Sequence, residues 1–288
     1  MPSGLVLLDK PQGFTSHDAV AKLRRLLGTR KIGHAGTLDP MATGLLVLGV
    51  DAGTKLLQFL VGVDKQYIAT IRLGQSTTTD DAEGDVLIST SAKHIGLEDV
   101  LGQIKKLTGD IFQIPSKVSA IKVDGKRAYD LVREGKEVEL KARPVTVSRF
   151  DVLGEPRFDG DFLDLDVIVD CSSGTYIRAL ARDLGEALGV GGHLTALRRT
   201  KVGSYSIDRA SGLSEEVSVL DLGDAARALF PALELNSQQE VDLIHGKRID
   251  ADGPKQVCAF FEGRLVAILE QSGSSYKSLV VFPKDSNG

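Results

Sequence analysis

KIGHAGTLDPMATG, residues 31 to 44, fits neither a helix nor a strand. Gly33, Gly36 and Gly44 raise the entropic cost of a helix, and Pro40 cannot sit inside one. The apolar residues of the stretch do not alternate, so it is a poor strand as well. A structured loop is expected. Just beyond it, Leu45 to Val50 (LLVLGV) is an apolar run long enough for one buried strand. Asp39 precedes Pro40, and a proline pushes its predecessor out of the right-handed helical region, so Asp39 should be held extended. A carboxylate on a rigid loop beside a core strand can be partly dehydrated and aimed, as a nucleophile or general base requires. An aspartate before proline is more commonly a turn residue bonding its own backbone. Local chemistry alone leaves both readings open.

Working outward, 288 residues leave room for one large domain or two unequal ones. A content of 42% hydrophobic and 26% charged residues is that of an ordinary soluble globular protein. No apolar run approaches the roughly 18 residues that span a bilayer. The start, MPSGLVLLDKPQG, lacks a basic segment, and its apolar run is only Leu5 to Leu8. No signal peptide and a cytoplasmic location are therefore expected. Cys171 and Cys258, both in strand-like apolar surroundings, read as buried free thiols rather than a disulfide. His17, His34, His94, His193 and His245 show no ligand spacing with each other or with cysteine, so no metal site is expected. The net charge of −4 argues by itself against nucleic acid. The charge is uneven, however. Residues 101–150 hold eleven Lys and Arg against six Asp and Glu, whereas residues 80–99 hold one Lys against six acids. Local patches set phosphate binding, although solvated helix faces explain any single patch equally well.

Leu5 to Leu8 reads as a strand. The helix after it is capped by Thr15 or Ser16, with Asp18 in its first turn and Gly28 as its stop. Lys22, Arg24, Arg25, Arg30 and Lys31 gather around its end, there to touch phosphates or to favour the helix dipole. Residues 53–60 suggest a short helix. Lys65 to Leu73 alternates, with Tyr67, Ala69, Ile71 and Leu73 on one face. Residues 77–85 form a polar, acidic loop, and 97–108 an amphipathic helix. Lys117, Lys122, Lys126, Arg127, Arg133 and Lys136 come at intervals with Tyr129 among them, a pattern suited to gripping RNA. Residues 145–152 and 162–171 read as paired strands. Thr175 is the expected cap of the following helix, and Arg178 in its first turn opposes the dipole unless it answers a nearby carboxylate. Residues 221–235 look helical. From about 236 the chain turns β-rich, with a hairpin signal at Glu262-Gly263-Arg264.

Several of these stretches resemble, in order, the motifs of the TruB family of pseudouridine synthases: GLVLLDKPQGFTSHD, GHAGTLDPMATGLLVLGV, Asp64-Lys65-Gln66-Tyr67, TTTDDAEGD, IPSKVSAIKVDGKRAY and Gly174-Thr175-Tyr176-Ile177-Arg178. The resemblance covers roughly residues 4 to 205. It implies an α+β fold: a catalytic domain over 1–235 with a central mixed, mainly antiparallel sheet and an RNA-gripping insertion at about 110–145. A small β-rich, PUA-like RNA-binding module would occupy 236–288. By the same resemblance Asp39 is the catalytic nucleophile or base, Tyr67 stacks on an extruded uracil, and Arg178 pairs with Asp39 and keeps it ionised. His34 sits near the base, Tyr176 and Leu197 line its pocket, and Lys10 with Pro11 supports the loop and the substrate site. Lys117, Lys122, Lys126 and Arg127 would meet the RNA backbone. The implied reaction breaks the C1′–N1 bond of uridine 55 in the tRNA T-loop and rejoins the base through C5. It needs no cofactor, metal or energy source. The expected partner is the T-arm of tRNA, no membrane is involved, and a monomer is expected. The alternative is an RNA-binding protein that remodels tRNA without chemistry. An aspartate glycosidase would need a second cooperating carboxylate, and the sequence offers no candidate beside Asp39.

Overall fold

The computed structural model describes residues 3–116, 140–213 and 216–284, together with the backbone of 122–123 and 126–127. The chain forms two compact units, Met1–Val63 with Lys201–Gly288, and Asp64–Thr200.

The first unit opens with strand β1 (Gly4–Lys10) and helix α1 (Ser16–Leu27). Thr15 is the cap: its hydroxyl accepts from the Asp18 N–H, and Asp18 reaches back to the Thr15 N–H. Gly28 ends the helix in the left-handed region, with φ 64°. With Thr15 in that role, the Ser16 hydroxyl is released for another task. The stretch expected to be loop throughout starts instead with a short strand, β2 (Ile32–His34), paired antiparallel to β3 (Thr43–Val50). Edge pairing to an already buried strand supplies hydrogen bonds that no local periodicity signals. β3 also pairs antiparallel with β1 along its length. Where one helix was expected over 53–60, a 3-10 turn (Asp51–Leu56) leads into a single helical turn, α2 (Gln58–Val61). Gly53 lies so close to β1 that an added Cβ would sit 1.9 Å from the Gly4 carbonyl oxygen.

The second unit contains β4 (Lys65–Leu73), β5 (Gln75–Thr77), β6 (Val86–Ser89), α3 (Leu97–Lys106) and β7 (Gly109–Gln113). After the two-residue ladder of β8 (Lys122–Val123) and β9 (Lys126–Arg127) come β10 (Arg143–Asp159), β11 (Phe162–Cys171), α4 (Ile177–Ala187) and β12 (Gly192–Val202), whose last two residues belong to the first unit. The strand order is β12-β4-β11-β10-β7, and the pairs from β4 to β7 are antiparallel. β10 runs well beyond the expected 145–152 because its outer half forms a hairpin with β11, closed through Gly160 at φ 62°. Ala69, Ile71 and Leu73 of β4 and Leu163, Leu165, Val167 and Val169 of β11 are buried, as their alternation demands. Helix α4 buries Ile177, Leu180, Ala181 and Leu184. Tyr176 rather than Thr175 stands at its cap position, without a side-chain bond to the helix, and the Thr175 hydroxyl donates instead to the Ser172 carbonyl (2.9 Å).

The chain then returns to the first unit through β13 (Tyr205–Ser206) and β14 (Leu220–Asp221), the latter pairing with β1. The helix expected over 221–235 is only α5 (Leu222–Arg227), capped by Asp221. Pro231 follows, and Ala232–Glu234 forms β15, parallel to β17. α6 (Ser237–Ile244), β16 (Ile249–Asp250), β17 (Gln256–Phe261), β18 (Arg264–Ser272) and β19 (Ser275–Val281) complete a five-stranded sheet ordered β15-β17-β18-β19-β16. Glu262 and Gly263, at φ 50° and 77°, make the expected hairpin turn, whose two central residues both need positive φ. One core cluster joins Leu5, Leu45, Val47 and Leu56 to Cys258, Phe260, Ile268 and Phe282 of this sheet. A second, with Leu243, Ile249, Val266 and Tyr276, lies within it. The class is α+β with mainly antiparallel strands, as expected, and both cysteines are free and buried.

Candidate active site

In the first unit the residues around Asp39 are held by buried polar groups. The Ser16 hydroxyl accepts from the Leu38 N–H (2.9 Å) and donates to the Leu38 carbonyl (3.2 Å). On the other side, the Pro40 carbonyl accepts from the Gly13 N–H (2.8 Å) and lies 3.5 Å from the Lys10 ammonium. Lys10 is fully buried and also donates to the carbonyls of Phe14 (2.6 Å) and Pro11 (3.0 Å). A buried ammonium is tolerated only with such partners. Both flanking residues are thus fixed, while Asp39 itself stays partly exposed and its carbonyl accepts from the Ala42 N–H (3.1 Å). His34 lies upstream on β2, half-buried, with its ring edge-on to that of His17 (centroids 6.0 Å apart).

The second unit holds Tyr67, Tyr176, Arg178 and Leu197. Tyr67 is 8% exposed on β4, opposite Val169, and Leu197 is buried on the neighbouring strand β12. Lys65 shares the Tyr67 face two residues earlier and is also buried. Burial, and after it the Arg199 guanidinium, lowers its ammonium pKa from 10.5 to about 8. Arg178 stands in the first turn of α4, where a cation opposes the dipole. It is nevertheless buried: its Nη1 donates to the Thr79 carbonyl (2.8 Å) and lies 3.4 Å from the Asp81 carboxylate, with both side chains 5% exposed. Asp81 is held in turn by the Thr79 hydroxyl (2.5 Å) and the Glu83 N–H (3.1 Å). One helical turn on, Arg182 pairs with Asp80 (3.3 Å). Tyr176 is half-buried at the helix start.

Lys117 lies outside the described residues, and for Lys122, Lys126 and Arg127 only the β8–β9 backbone pairing is described. Among the described residues no cluster of three metal-ligating side chains occurs, and no helix is long and apolar enough to cross a membrane. Two supporting residues escaped sequence reasoning. As sequence, Ser16 is only a candidate cap and Asp81 only part of an acidic loop. Aspartate in a Thr/Gly-rich loop is normally solvated, so its burial against an arginine from a distant helix has no local sign. Only the second candidate cap, left over once Thr15 is used, pointed to Ser16.

In fold the chain is similar to a chain in a crystal structure of a Cbf5-Nop10-Gar1 complex. The TM-score is 0.71 at 24% identity, over 99% of this chain and 86% of that one. It is equally similar, at 22% identity, to a chain of an H/ACA RNP bound to a substrate RNA containing 2′-deoxyuridine. Sequence goes further than fold. The model of the TruB family pseudouridylate synthase N-terminal domain matches residues 24–177, that of the tRNA pseudouridylate synthase B C-terminal domain residues 178–227, and that of the tRNA pseudouridine synthase II C terminus residues 230–283. The tRNA pseudouridine synthase B of Paenarthrobacter aurescens is 56% identical over 98% of this chain and 96% of its own length. That of Corynebacterium glutamicum is 54% identical over 96% and 95%. The chain belongs to the TruB family of pseudouridylate synthases.

Proposed function

We propose that this protein isomerises uridine 55 in the T-loop of tRNA to pseudouridine, with Asp39 as its reactive carboxylate. It is a tRNA pseudouridine synthase: the C1′–N1 bond of the uridine breaks, the freed uracil turns, and a C1′–C5 bond forms as the C5 proton leaves and N1 is left protonated. Asp39 starts this sequence as nucleophile or base. Tyr67 stacks on the extruded base, which an enzyme must take out of the helix to reach, and takes part in removing the C5 proton. Arg178 keeps the Asp39 carboxylate ionised. His34, Tyr176 and Leu197 shape the space around the base, and Lys10 supports the loop from below. Lys117, Lys122, Lys126 and Arg127 follow the RNA backbone. The catalytic part spans 1–235 and a PUA-like RNA-binding module 236–288. The enzyme works as a monomer in the cytoplasm, without a cofactor.

The observation that carries this reading is the fixed backbone on both sides of Asp39. Buried Ser16 bonds both polar groups of the Leu38 backbone, and the Pro40 carbonyl is held by the Gly13 N–H with the buried Lys10 ammonium 3.5 Å away, the preorganisation that a reacting group needs. The test uses unmodified tRNA transcripts with wild type and Asp39→Asn. Pseudouridine is mapped to single nucleotides and binding is measured at stated ionic strength, since phosphate contacts make it salt-dependent. One modified uridine in the T-loop with wild type, and bound but unmodified tRNA with the variant, is the expected result. Modification elsewhere in the tRNA refutes the site of action; modification by Asp39→Asn refutes the role of Asp39.

A further inference from the structure

Helix α4 begins without a cap of its own. Tyr176 at the cap position makes no side-chain bond to the helix, and the Thr175 hydroxyl is turned to Ser172. The residue at the cap position is held instead from 63 residues earlier in the chain. Gln113, the last residue of β7, accepts from the Tyr176 N–H with its amide oxygen (2.8 Å) and donates from Nε2 to the Tyr176 carbonyl (3.1 Å). That carbonyl also takes a helical bond from the Leu180 N–H (3.2 Å). One planar amide therefore grips both polar groups of a single backbone residue, which sets the direction in which α4 departs. Gln113 is 2% exposed. The next residue holds the same helix: the Ile114 carbonyl accepts from Arg182 Nη2 (2.7 Å), while Arg182 Nη1 reaches Asp80. Arg178 lies between these two attachments, with Thr79 and Asp81 across from it. An apolar contact would pack β7 on α4 without the desolvation cost of a buried amide. A satisfied polar grip adds direction, which apolar packing does not.

We propose that Gln113 is a positioning residue for the isomerisation: by clamping Tyr176 it fixes the helix start and so the placement of the Arg178 guanidinium. This rests on Arg178 acting on the Asp39 carboxylate, as proposed above. Gln113 touches neither base nor sugar in this role. Its loss appears in the chemical step rather than in RNA binding.

The test compares the full-length wild type with Gln113→Met, Gln113→Glu and Arg178→Lys, by single-turnover pseudouridine formation at saturating tRNA and by tRNA binding. Gln113→Met keeps length and volume but neither bond; it is expected to slow the chemical step about 100-fold, the cost of a small misplacement, with binding changed by less than about threefold. Gln113→Glu keeps the acceptor and sets a carboxylate against the Tyr176 carbonyl until it is protonated. Its rate relative to wild type is therefore expected to climb as pH falls, read only over the pH range in which circular dichroism shows both proteins fully folded, since the same carboxylate makes stability pH-dependent. A folded Gln113→Met with the wild-type rate overturns the proposal. If that variant does not fold, a Gln113→Glu to wild-type ratio that is flat with pH overturns it. An Arg178→Lys enzyme as fast as wild type removes the Arg178 reading itself and the inference with it. A slow Arg178→Lys beside a fast Gln113→Met removes the inference alone.

Discussion

Two loops of this molecule each hold an aspartate at a different depth: Asp81 is buried and Asp39 stays partly exposed. In TLDPMAT the polar neighbours go to the backbone: buried Ser16 to Leu38, and the exposed Gly13 N–H with the buried Lys10 ammonium to Pro40. The Asp39 side chain is left partly exposed on a fixed support. In TTTDDAEG the Thr77 hydroxyl donates to the Asp81 carbonyl (2.7 Å), and further partners go to the side chain itself. The Thr79 hydroxyl and the Glu83 N–H reach one Asp81 oxygen and Arg178 lies by the other, and Asp81 is 3% exposed. A carboxylate whose oxygens are committed to neighbours serves to hold a cation in place. The residue type is the same; the targets of the surrounding hydrogen bonds differ.

Asp39→Asn breaks this comparison most sharply. It is expected to lower single-turnover pseudouridine formation by about 10⁴-fold or more, the scale of losing a reacting group, while leaving the urea midpoint near that of wild type. A large loss of stability would show that Asp39 is held like Asp81. Asp81→Asn should do the reverse in emphasis. Removing one partner of a buried ion pair costs about 4 kcal/mol, visible as a lowered urea midpoint even without RNA; an unchanged midpoint would make Asp81 dispensable to the fold. Lys65 sharpens the contrast from the side of the cation. Its ammonium is weakened in the folded protein, from 10.5 to about 8, first by burial and then by Arg199. The unfolded chain therefore holds this proton more tightly through that window, and stability rises with pH between about 8 and 10.5. Below about 8 the cost of burying the charge is fully present. Wild type should gain about 3 kcal/mol relative to Lys65→Met across the window, measured by urea unfolding at each end; parallel stability curves would contradict it. The smallest effect belongs to Ser16→Ala. The Leu38 N–H loses its partner at a cost of about 1–2 kcal/mol, and the reaction should slow about tenfold through the loosened loop. A rate equal to wild type would mean that the Lys10 side of the loop suffices.

Much of this was legible before any coordinates. Alternation in KQYIATIRL and FLDLDVIVD marks strands whose faces are buried as expected, because a pleated strand turns every second side chain the same way. Thr15, Asp18 and Gly28 marked the ends of α1 by local chemistry alone. The helix expected over 221–235 failed because its apolar spacing fits two short pieces equally well, and Pro231 with the waiting edge of β17 decided the matter. β2 was missed for a similar reason: three residues carry no period, and only pairing with β3 makes them a strand.

By itself the sequence determined the ordered motifs, the family to which they belong, the strands and helices long enough to show a period, and the placement of Asp39 before a proline. Those features depend on residues within a few positions of one another, where propensity, capping and steric restriction act. Only the tertiary structure decided that Ser16 serves the Leu38 backbone, that Asp81 is spent on Arg178, and that Gln113 grips the residue opening a helix 63 residues further on. A buried polar side chain takes whatever partner the packed chain brings within about 3 Å, and that partner's distance along the sequence leaves no local mark.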